Sequence, residues 1–388
     1  MIFIDILDQF LKENDIRTLS NRQISEMVQV SHTKINESIA GKREYDFYVY
    51  VEMLNIFFSE KENYQLRKDA VYEFCKKTER KLNHRMALEY LDMSGELELL
   101  EYVIEKGKNS NNNLNKKFAR SYDLLYLRNT GNISTIDYLK TIKKKFNGVS
   151  SIGNISQISL MFALIYGYFD YRDYKQVKKY MKELLPLIES LSNDFFRSSY
   201  LLRIQEIQIT LLHRNNELDE ARKLCNEILK RSDRLSLLAR ATAYCVLGET
   251  YMFDDYDLSK YYLKKGFHLM EFPKNRKMLK KKRMIKTTMD FVDIHYEKNL
   301  DNIKPIHSTE EAYLYVKKEM MEKAKEVIEE FRIEYGYITT NQKFILGLAE
   351  NDGKILEEAL LDYKNKGDLF YARLPEEVLQ LKRGDVLE

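Results

Sequence analysis

Apolar residues recur every three or four positions along most of the chain, which is the spacing of helices that bury one face. Only 14 Gly and 4 Pro interrupt this pattern over 388 residues. Good helix formers such as Leu, Lys and Glu fill the positions between them. The pattern therefore predicts an all-α protein. Because this length exceeds what one compact helical core holds, we expect a small domain followed by an extended series of helices.

A pair of short helices joined by a tight turn is predicted near the start, over NRQISEMVQVSHTKINESIAG, residues 21–41. Ser20 followed by Gln23 matches a capping box, and Ser31 is the N-cap candidate of the second helix. The small residue Ser25 lies inside the first helix, where the second helix has to approach closely. This arrangement predicts a helix-turn-helix.

In a helix-turn-helix, the N-terminal residues of the second helix enter the major groove of DNA. Asn pairs with adenine, Glu accepts from cytosine and Thr contacts the thymine methyl group, while Lys and Arg bind phosphates. We therefore predict a DNA-binding domain over residues 1–60 that contacts a double-stranded operator. Its predicted DNA-binding residues are Ser31, His32, Thr33, Lys34, Asn36, Glu37, Lys42 and Arg43.

The alternative for this stretch is an ordinary helical hairpin. Residues 1–60 carry 6 Lys and Arg against 10 Asp and Glu, a net charge of −4. A DNA-binding domain usually gains affinity from basic charge, so this balance favours the alternative. The agreement of both caps and both apolar faces favours the helix-turn-helix.

Residues 61–388 repeat a two-helix theme that is typical of tetratricopeptide repeats. Such repeats place a small residue late in the first helix and another small residue in the second. Ala312 and Ala324 have this spacing, and so do Gly347 and Ala359. Further candidates for these small positions are Ala221, Gly248 and Ser259. The spacing predicts a tetratricopeptide-like superhelical solenoid after the first domain.

The first helix of each repeat lines the concave surface of such a solenoid. Positions beside the late small residue, and one turn away, point inward. These positions hold Glu206, Thr210, His213, Arg214, Thr242, Cys245, Glu249, Met252, Thr309, Tyr313, Val316, Asn341, Phe344 and Leu348. Their mixture of carboxylate, guanidinium, amide and aromatic groups suits a short extended peptide. At each single position an ordinary solvated residue is the alternative.

The composition gives no sign of an enzyme. The net charge is +3, and the six His residues form no metal-binding pattern. Cys75, Cys225 and Cys245 are far apart, which indicates buried thiols in a reducing compartment. No phosphate-binding loop, dinucleotide motif or Ser-His-Asp arrangement is present. We therefore expect no catalytic residues, no metal and no cofactor.

The start of the chain also bears on location. Asp5 and Asp8 lie where a signal peptide would be apolar, and no apolar run is as long as a membrane span of about 18 residues. We therefore expect a cytoplasmic protein that does not bind membranes.

Five short sequence motifs resemble motifs of a known family and occur in the same order along the chain. They are RMALEYLD from Arg85, LDEARKL from Leu218, YDLSKYYLKKG from Tyr256, KAKEV from Lys323 and DLFYARLPEEVLQ from Asp368. The set resembles the arbitrium receptors (AimR family) of Bacillus phages, which belong to the peptide-pheromone receptors. The resemblance implies a helix-turn-helix joined to a tetratricopeptide-like superhelix. It also implies a transcriptional regulator of the lysis–lysogeny decision, whose operator binding weakens when a hexapeptide binds.

The resemblance further implies which residues contact the peptide. The family's peptide contacts in the first and last of these motifs match Arg85 and Asp368. Arg85 would bind a peptide carboxylate, and Asp368 would bind a basic peptide group. Where the family has asparagines and a glutamine, this chain has Thr210, Arg214, Glu249 and Glu311, so we expect a different ligand. With the lining positions, the predicted peptide-binding residues are Arg85, Glu206, Thr210, Arg214, Glu249, Glu311, Tyr313, Asn341 and Asp368. The carboxylates among them predict a peptide with at least one basic residue.

The resemblance also implies a homodimer, which the family forms partly through an apolar C-terminal segment. The corresponding segment here, LQLKRGDVLE, is more polar.

Three alternatives remain for the function. A host quorum-sensing regulator of the same superfamily has the same architecture. A Rap-like protein acts on a response regulator by phosphatase action or sequestration, and it lacks the helix-turn-helix. A plain repeat scaffold binds neither DNA nor a small peptide.

Overall fold

The computed structural model describes residues 20–28, 30–40, 42–58, 63–146, 155–231, 237–272 and 275–383. Within these ranges the chain forms α-helices, one short 3-10 helix at Leu300–Asn302 and no strand, which confirms the predicted all-α class. The helices are α1 Asn21–Met27, α2 His32–Ile39, α3 Phe47–Phe57, α4 Tyr64–Lys77, α5 Lys81–Ser94, α6 Leu97–Lys108, α7 Asn113–Thr130, α8 Thr135–Phe146, α9 Ile155–Asp170, α10 Tyr174–Glu189, α11 Asp194–Arg214, α12 Leu218–Lys230, α13 Leu237–Thr250, α14 Tyr256–Leu269, α15 Arg276–His295, α16 Ser308–Lys317, α17 Met321–Tyr335, α18 Thr340–Ala349, α19 Gly353–Lys366 and α20 Leu369–Arg383.

The chain divides into two compact units. The first comprises Met1–Gly167, Glu183–Leu201 and Phe272–Lys277, and the second comprises Tyr168–Lys182, Leu202–Glu271 and Met278–Glu388. The predicted domains, 1–60 and 61–388, follow a different division. Their boundary stays a prediction, since residues 1–19 and 59–62 lie outside the described residues.

In the first unit, α3 shares an aromatic core with the two helices that follow it. The Phe47 ring lies 5.6 Å from the rings of both Phe74 and Tyr90, and Tyr50 lies 4.6 Å from Phe74. Phe47, Tyr50 and Phe74 are buried. The third helix of the first 60 residues is thus packed on the repeats that begin beyond them.

In the second unit, successive helices form hairpins that cross at small residues. A side-chain carbon added to Gly248 of α13 would lie 2.5 Å from Leu263 of α14, and one on Gly347 of α18 would lie 2.8 Å from Leu356 of α19. No larger residue fits at such a crossing without displacing its neighbour. Ala221, Ser259, Ala312, Ala324 and Ala359 are likewise fully buried. The small-residue pattern predicted for these repeats is confirmed.

The junction between α19 and α20 is set by a glycine. Gly367 ends α19 in the left-handed conformation, with φ of 75°, which residues with a side chain rarely adopt. The chain then turns, and the amide of Asp368 donates to the Tyr363 carbonyl at 2.9 Å. This turn places Asp368 immediately before the first residue of α20.

Candidate functional site

The predicted helix pair is present, with both predicted caps. The Ser20 hydroxyl accepts from the Gln23 amide at 3.3 Å, and the Gln23 side chain accepts from the Ser20 amide at 2.8 Å. The Ser31 hydroxyl accepts from the backbone at the start of α2, at 3.4 Å. Ser25 donates to the Val30 carbonyl at 2.5 Å, so the small residue ties α1 to the turn.

The residues predicted to contact DNA differ in how much they are engaged within the protein. Asn36 accepts from Asn21 of α1 at 2.9 Å, and Arg43 pairs with Glu37 at 3.6 Å. Thr33 and Lys34 have no such partner within the described part of the chain. The exposed members of the set are Ser31, His32, Thr33, Lys34 and Lys42, whereas Asn36, Glu37 and Arg43 are half-buried. The start of α2 therefore presents a mixed polar and basic surface.

Arg85, which the resemblance assigned to the peptide, lies on α5 in the first unit. Its Nη1 donates to Asn115 Oδ1 at 2.9 Å, and its guanidinium carbon lies 5.9 Å from the centre of the Phe118 ring. The side chain is half-buried, and burial lowers the pKa of the guanidinium. Only one of its five N–H donors is used in this hydrogen bond, so the others remain for a carboxylate.

In the second unit, Arg214 at the end of α11 meets Asp368. Its Nη1 lies 3.3 Å and 3.5 Å from the two carboxylate oxygens, and its guanidinium lies 4.6 Å from the Tyr371 ring centre. Asp368 is buried, whereas the Arg214 side chain keeps 19% of its exposure. Burial opposes the charge of Arg214, but Asp368 raises the pKa of the guanidinium well above its usual value. Two residues predicted to bind the peptide are therefore paired with each other.

The neighbouring His213 is fully buried and has no hydrogen-bond partner in the described part of the chain. Its Nδ1 lies 3.3 Å from Glu249 Oε2, outside hydrogen-bond alignment, and its ring lies 4.1 Å from that of Phe370. Burial lowers the pKa of His213 well below its usual value, and the positive charge of Arg214 adds to this shift, so the ring is neutral. Burial raises the pKa of Glu249, and Arg214 partly opposes this shift.

A second contact joins α11 to α13 about two helical turns before His213 and Glu249. The Thr242 hydroxyl donates to Glu206 Oε1 at 2.7 Å, and the Thr210 hydroxyl donates to the Glu206 carbonyl at 3.4 Å. Glu206, Thr210 and Glu249 are half-buried, as the inward-facing positions of first helices are expected to be. We refer to Glu206, His213, Arg214, Thr242, Glu249 and Asp368 as the polar cluster.

Three predicted peptide residues lie on the later repeats. Tyr313 is buried, with its hydroxyl 3.2 Å from His295 Nδ1, and Asn341 accepts from the Tyr363 hydroxyl at 2.7 Å. The Tyr363 ring stacks 6.4 Å from that of Tyr371, so two aromatic rings connect Asn341 to the polar cluster. Glu311 is half-buried. The structure does not bring these three side chains into direct contact with Arg214 or Asp368.

Sequence reasoning missed the aromatic wall of the polar cluster. Tyr371 lies under Arg214, and Phe370 packs against His213 and, at 4.8 Å, against Phe253. Burial raises the pKa of Tyr371 well above its usual value, so its hydroxyl stays protonated. The available signal was the pair of aromatic residues two and three positions after Asp368.

Other chemistry is scarce in the described ranges. No group of His, Cys, Asp and Glu there has the arrangement of a metal site. Burial raises the pKa of both Cys75 and Cys225 to about 12, so these thiols are poor nucleophiles. None of the described helices is long and apolar enough to cross a lipid bilayer.

Comparison with known proteins identifies a family. The sequence model of the AimR transcriptional regulator-like family matches residues 67–382. The AimR transcriptional regulator of Bacillus phage phi3T is 24% identical over 314 residues, which span 77% of each chain. An uncharacterized protein of Bacillus anthracis is 29% identical over 197 residues, spanning 50% of this chain and 73% of that protein.

Solved structures show the same fold. The structure of phAimR-Ligand has a TM-score of 0.71 and 20% identity, covering 86% of this chain and 96% of its own. The selenomethionine form of phAimR has a TM-score of 0.66 and 18% identity, covering 100% and 98%. The family match and the shared helical fold agree with the resemblance in the sequence motifs. The chain belongs to the AimR transcriptional regulator-like family.

Proposed function

We propose that this protein is a DNA-binding transcriptional regulator that is switched by a short signalling peptide, and that it governs a lysis–lysogeny decision. The peptide, of hexapeptide length, binds to the tetratricopeptide-like repeats, and it reduces operator binding. Family membership, the fold shared with phAimR and the relative from Bacillus phage phi3T support this proposal.

The polar cluster is the observation that carries the ligand-binding part. Both ring nitrogens of His213 and the Nε of Arg214 are buried and have no hydrogen-bond partner in the described residues. A buried polar atom without a partner costs about 1–3 kcal/mol, and a peptide group that bonds these atoms recovers that cost. The half-buried Arg214, Glu206 and Glu249 beside them offer charges to the ends or side chains of a peptide.

The capped helix pair supports the DNA-binding part. The start of α2 is exposed, and it carries Thr33 and Lys34 without a side-chain partner in the described residues. In a helix-turn-helix these positions lie against base edges and phosphates. The same pair favours this proposal over a Rap-like protein, which lacks a helix-turn-helix. A homodimer on an inverted-repeat operator completes the proposal, because two-fold symmetry presents two recognition helices to two half-sites.

Calorimetry tests the peptide part. The probe is the synthetic mature hexapeptide encoded by a small secreted-peptide gene beside the gene of this protein. Arg85→Ala should weaken binding, because removing one partner of a buried ionic contact costs about 2–5 kcal/mol. Asp368→Ala should change the affinity as well, because it leaves Arg214 without its internal partner. Arg332→Ala, on the exposed face of α17, is the matched control and should bind like the parent. Parental affinity in both test variants would refute the proposed contacts.

DNA binding is tested separately, with the promoter region of the same gene cluster. Thr33→Ala should cost about 1–3 kcal/mol on the operator and little on unrelated DNA. Arg43→Ala should weaken both and flatten the salt dependence. Light scattering of the protein, free and on DNA, should give a dimer. Unchanged operator binding by both variants would remove α2 as the recognition helix.

A further inference from the structure

A short segment, Glu44–Phe47, connects the helix pair to α3, and one buried amide holds most of it. Asn83, at the start of α5, is fully buried. Its Oδ1 accepts from the Phe47 amide at 2.9 Å, while its Nδ2 donates to the Tyr45 carbonyl at 2.8 Å and to Glu44 Oε1 at 3.0 Å. One side chain thus bonds three of the four residues in the segment.

The turn before α5 holds the same segment from a second side. The Thr78 hydroxyl donates to the Glu44 carboxylate, and Arg80 forms an ion pair with Asp46. Thr78 is buried, and Asn83 also lies 3.4 Å from its hydroxyl. We call Thr78, Arg80 and Asn83 the linker clamp. Because Thr78 and Asn83 are buried and the partners of the clamp include backbone groups, the segment cannot change direction without breaking several hydrogen bonds.

Within the described residues, the linker clamp ties the segment that follows the helix pair to the repeats. Among the described helices, α1 and α2 pack chiefly on each other, and Asn21 donates to Asn36 across them at 2.9 Å. In contrast, α3 packs on α4 and α5 through the ring of Phe47. The orientation of the predicted recognition helix therefore depends on the path of the clamped segment.

Arg85 lies two positions after Asn83 on α5. At about 100° per residue, two positions turn the side chains to opposite faces of the helix. Asn83 faces the segment, and Arg85 bonds Asn115 of α7. A single turn of α5 thus carries a contact to the segment Glu44–Phe47 on one face and a predicted ligand contact on the other.

We propose that Asn83 is a positioning residue that fixes the orientation of the helix pair on α5 and transmits to it any displacement at Arg85. This role rests on the proposed function, in which Arg85 contacts the peptide and α2 contacts DNA. A peptide carboxylate that draws Arg85 away from Asn115 shifts the start of α5, and Asn83 moves the clamped segment with it. No group of the ligand then needs to contact the helix pair.

The test measures the distance between two spin labels within the first unit, without DNA or peptide. The labels are attached at Arg22→Cys on α1 and Lys117→Cys on α7, both exposed positions. Cys75 and Cys225 are buried, and Cys245→Ser removes the remaining thiol. The parent should give one narrow distance distribution. Asn83→Leu, of similar volume, should lose it and give a broad distribution.

Two further variants keep the test decisive. Glu44→Ala removes a clamp partner at the half-buried end of the segment, and it should also broaden the distribution if Asn83→Leu does not fold. Asn129→Leu is the matched control, because this amide bonds Asp92 within the repeats at 2.8 Å. It should keep the narrow distribution. A narrow, unshifted distribution in Asn83→Leu, or in Glu44→Ala where Asn83→Leu does not fold, overturns the positioning role.

The transmission from Arg85 is tested by a cycle of variants. Arg85→Ala removes the bond to Asn115, and in the parent background it should shift the mean distance between the spin labels. In the Asn83→Leu background the same substitution should produce no further defined shift. Equal shifts in both backgrounds overturn the transmission. Since these distances require neither ligand nor operator, they remain interpretable if the proposed peptide or DNA binding fails in its own assays.

Discussion

Asp368→Asn should destabilise the second unit through the ion pair that it breaks. The substitution keeps the volume of the side chain but removes the charge that balances Arg214, whose Nη1 lies 3.3 Å from Asp368 Oδ2. The Asp368 side chain is only 3% exposed. The variant therefore leaves a guanidinium with little solvent and no ionic partner at this distance.

The magnitude follows from the burial of the two partners. Removing one member of a fully buried pair costs about 3–5 kcal/mol. Here Arg214 keeps 19% exposure, lies over the Tyr371 ring and retains a carbonyl acceptor in the new Asn. Water and the ring recover part of the loss, so we expect a cost of about 2–3 kcal/mol. A variant that also carries Arg214→Met should recover most of it, because no unpaired charge remains.

Urea unfolding followed by circular dichroism measures this cost, and hydrogen exchange of peptides from α11 and α20 assigns it to the second unit. The matched control is Asp254→Asn. Arg373 and Asp254 lie 3.0 Å apart, closer than Arg214 and Asp368, but the Asp254 side chain is 50% exposed. The control should cost less than about 1 kcal/mol. Equal losses in both variants would show that distance, rather than burial, determines the effect and would refute the reasoning.

Three further predictions concern stability. Gly248→Ala should cost about 1–3 kcal/mol in urea unfolding, because its Cβ would lie 2.5 Å from Leu263, whereas Gly353→Ala, with open space around it, should be neutral or stabilising. Burial, with smaller effects from neighbouring charges, lowers the pKa of His84 and of His295 to about 4, so stability should be full above pH 6.5 and fall as the pH drops from 6.5 towards 4. His84→Gln should reduce this slope, and an unchanged slope would contradict it. Modification of Cys225 by a thiol reagent should require unfolding, since the side chain is buried and its pKa is raised to about 12.

Local patterns in the sequence predicted the helices and their crossings. The caps at Ser20 and Ser31 depend on residues three positions apart, and the crossing at Gly248 depends on a fixed spacing within one hairpin. Such signals survive in a single sequence because the groups that interact are close along the chain. The sequence therefore predicted the class of the fold and the type of repeat.

The pairing of side chains between distant helices was not predictable in this way. Arg214 and Asp368 are 154 positions apart, so their contact depends on how the whole second unit folds. The repeat pattern placed Arg214 in the candidate site and the family resemblance placed Asp368 there, but neither revealed that the two neutralise each other. In the sequence, Asn83 is only a polar residue, and nothing there marks it as a contact to another segment. The structure buries it completely in α5. Its role became visible only with the path of the segment that it binds.

The Arg214–Asp368 pair changes which peptide side chains the proposed site favours. The family resemblance assigns a basic peptide group to Asp368, but such a group has to replace Arg214. The binding free energy that it contributes is therefore only the difference between the new ion pair and the internal one. A peptide carboxylate instead adds to a guanidinium whose Nε has no partner in the described residues. Within a hexapeptide series that differs at one position, Glu should therefore bind better than Arg at the residue nearest Arg214. Arg214→Asn leaves Asp368 without its cation and should reverse this order, because a basic peptide group then restores the buried pair. If the order of the series is the same in the parent and in Arg214→Asn, the internal pair does not determine ligand selection.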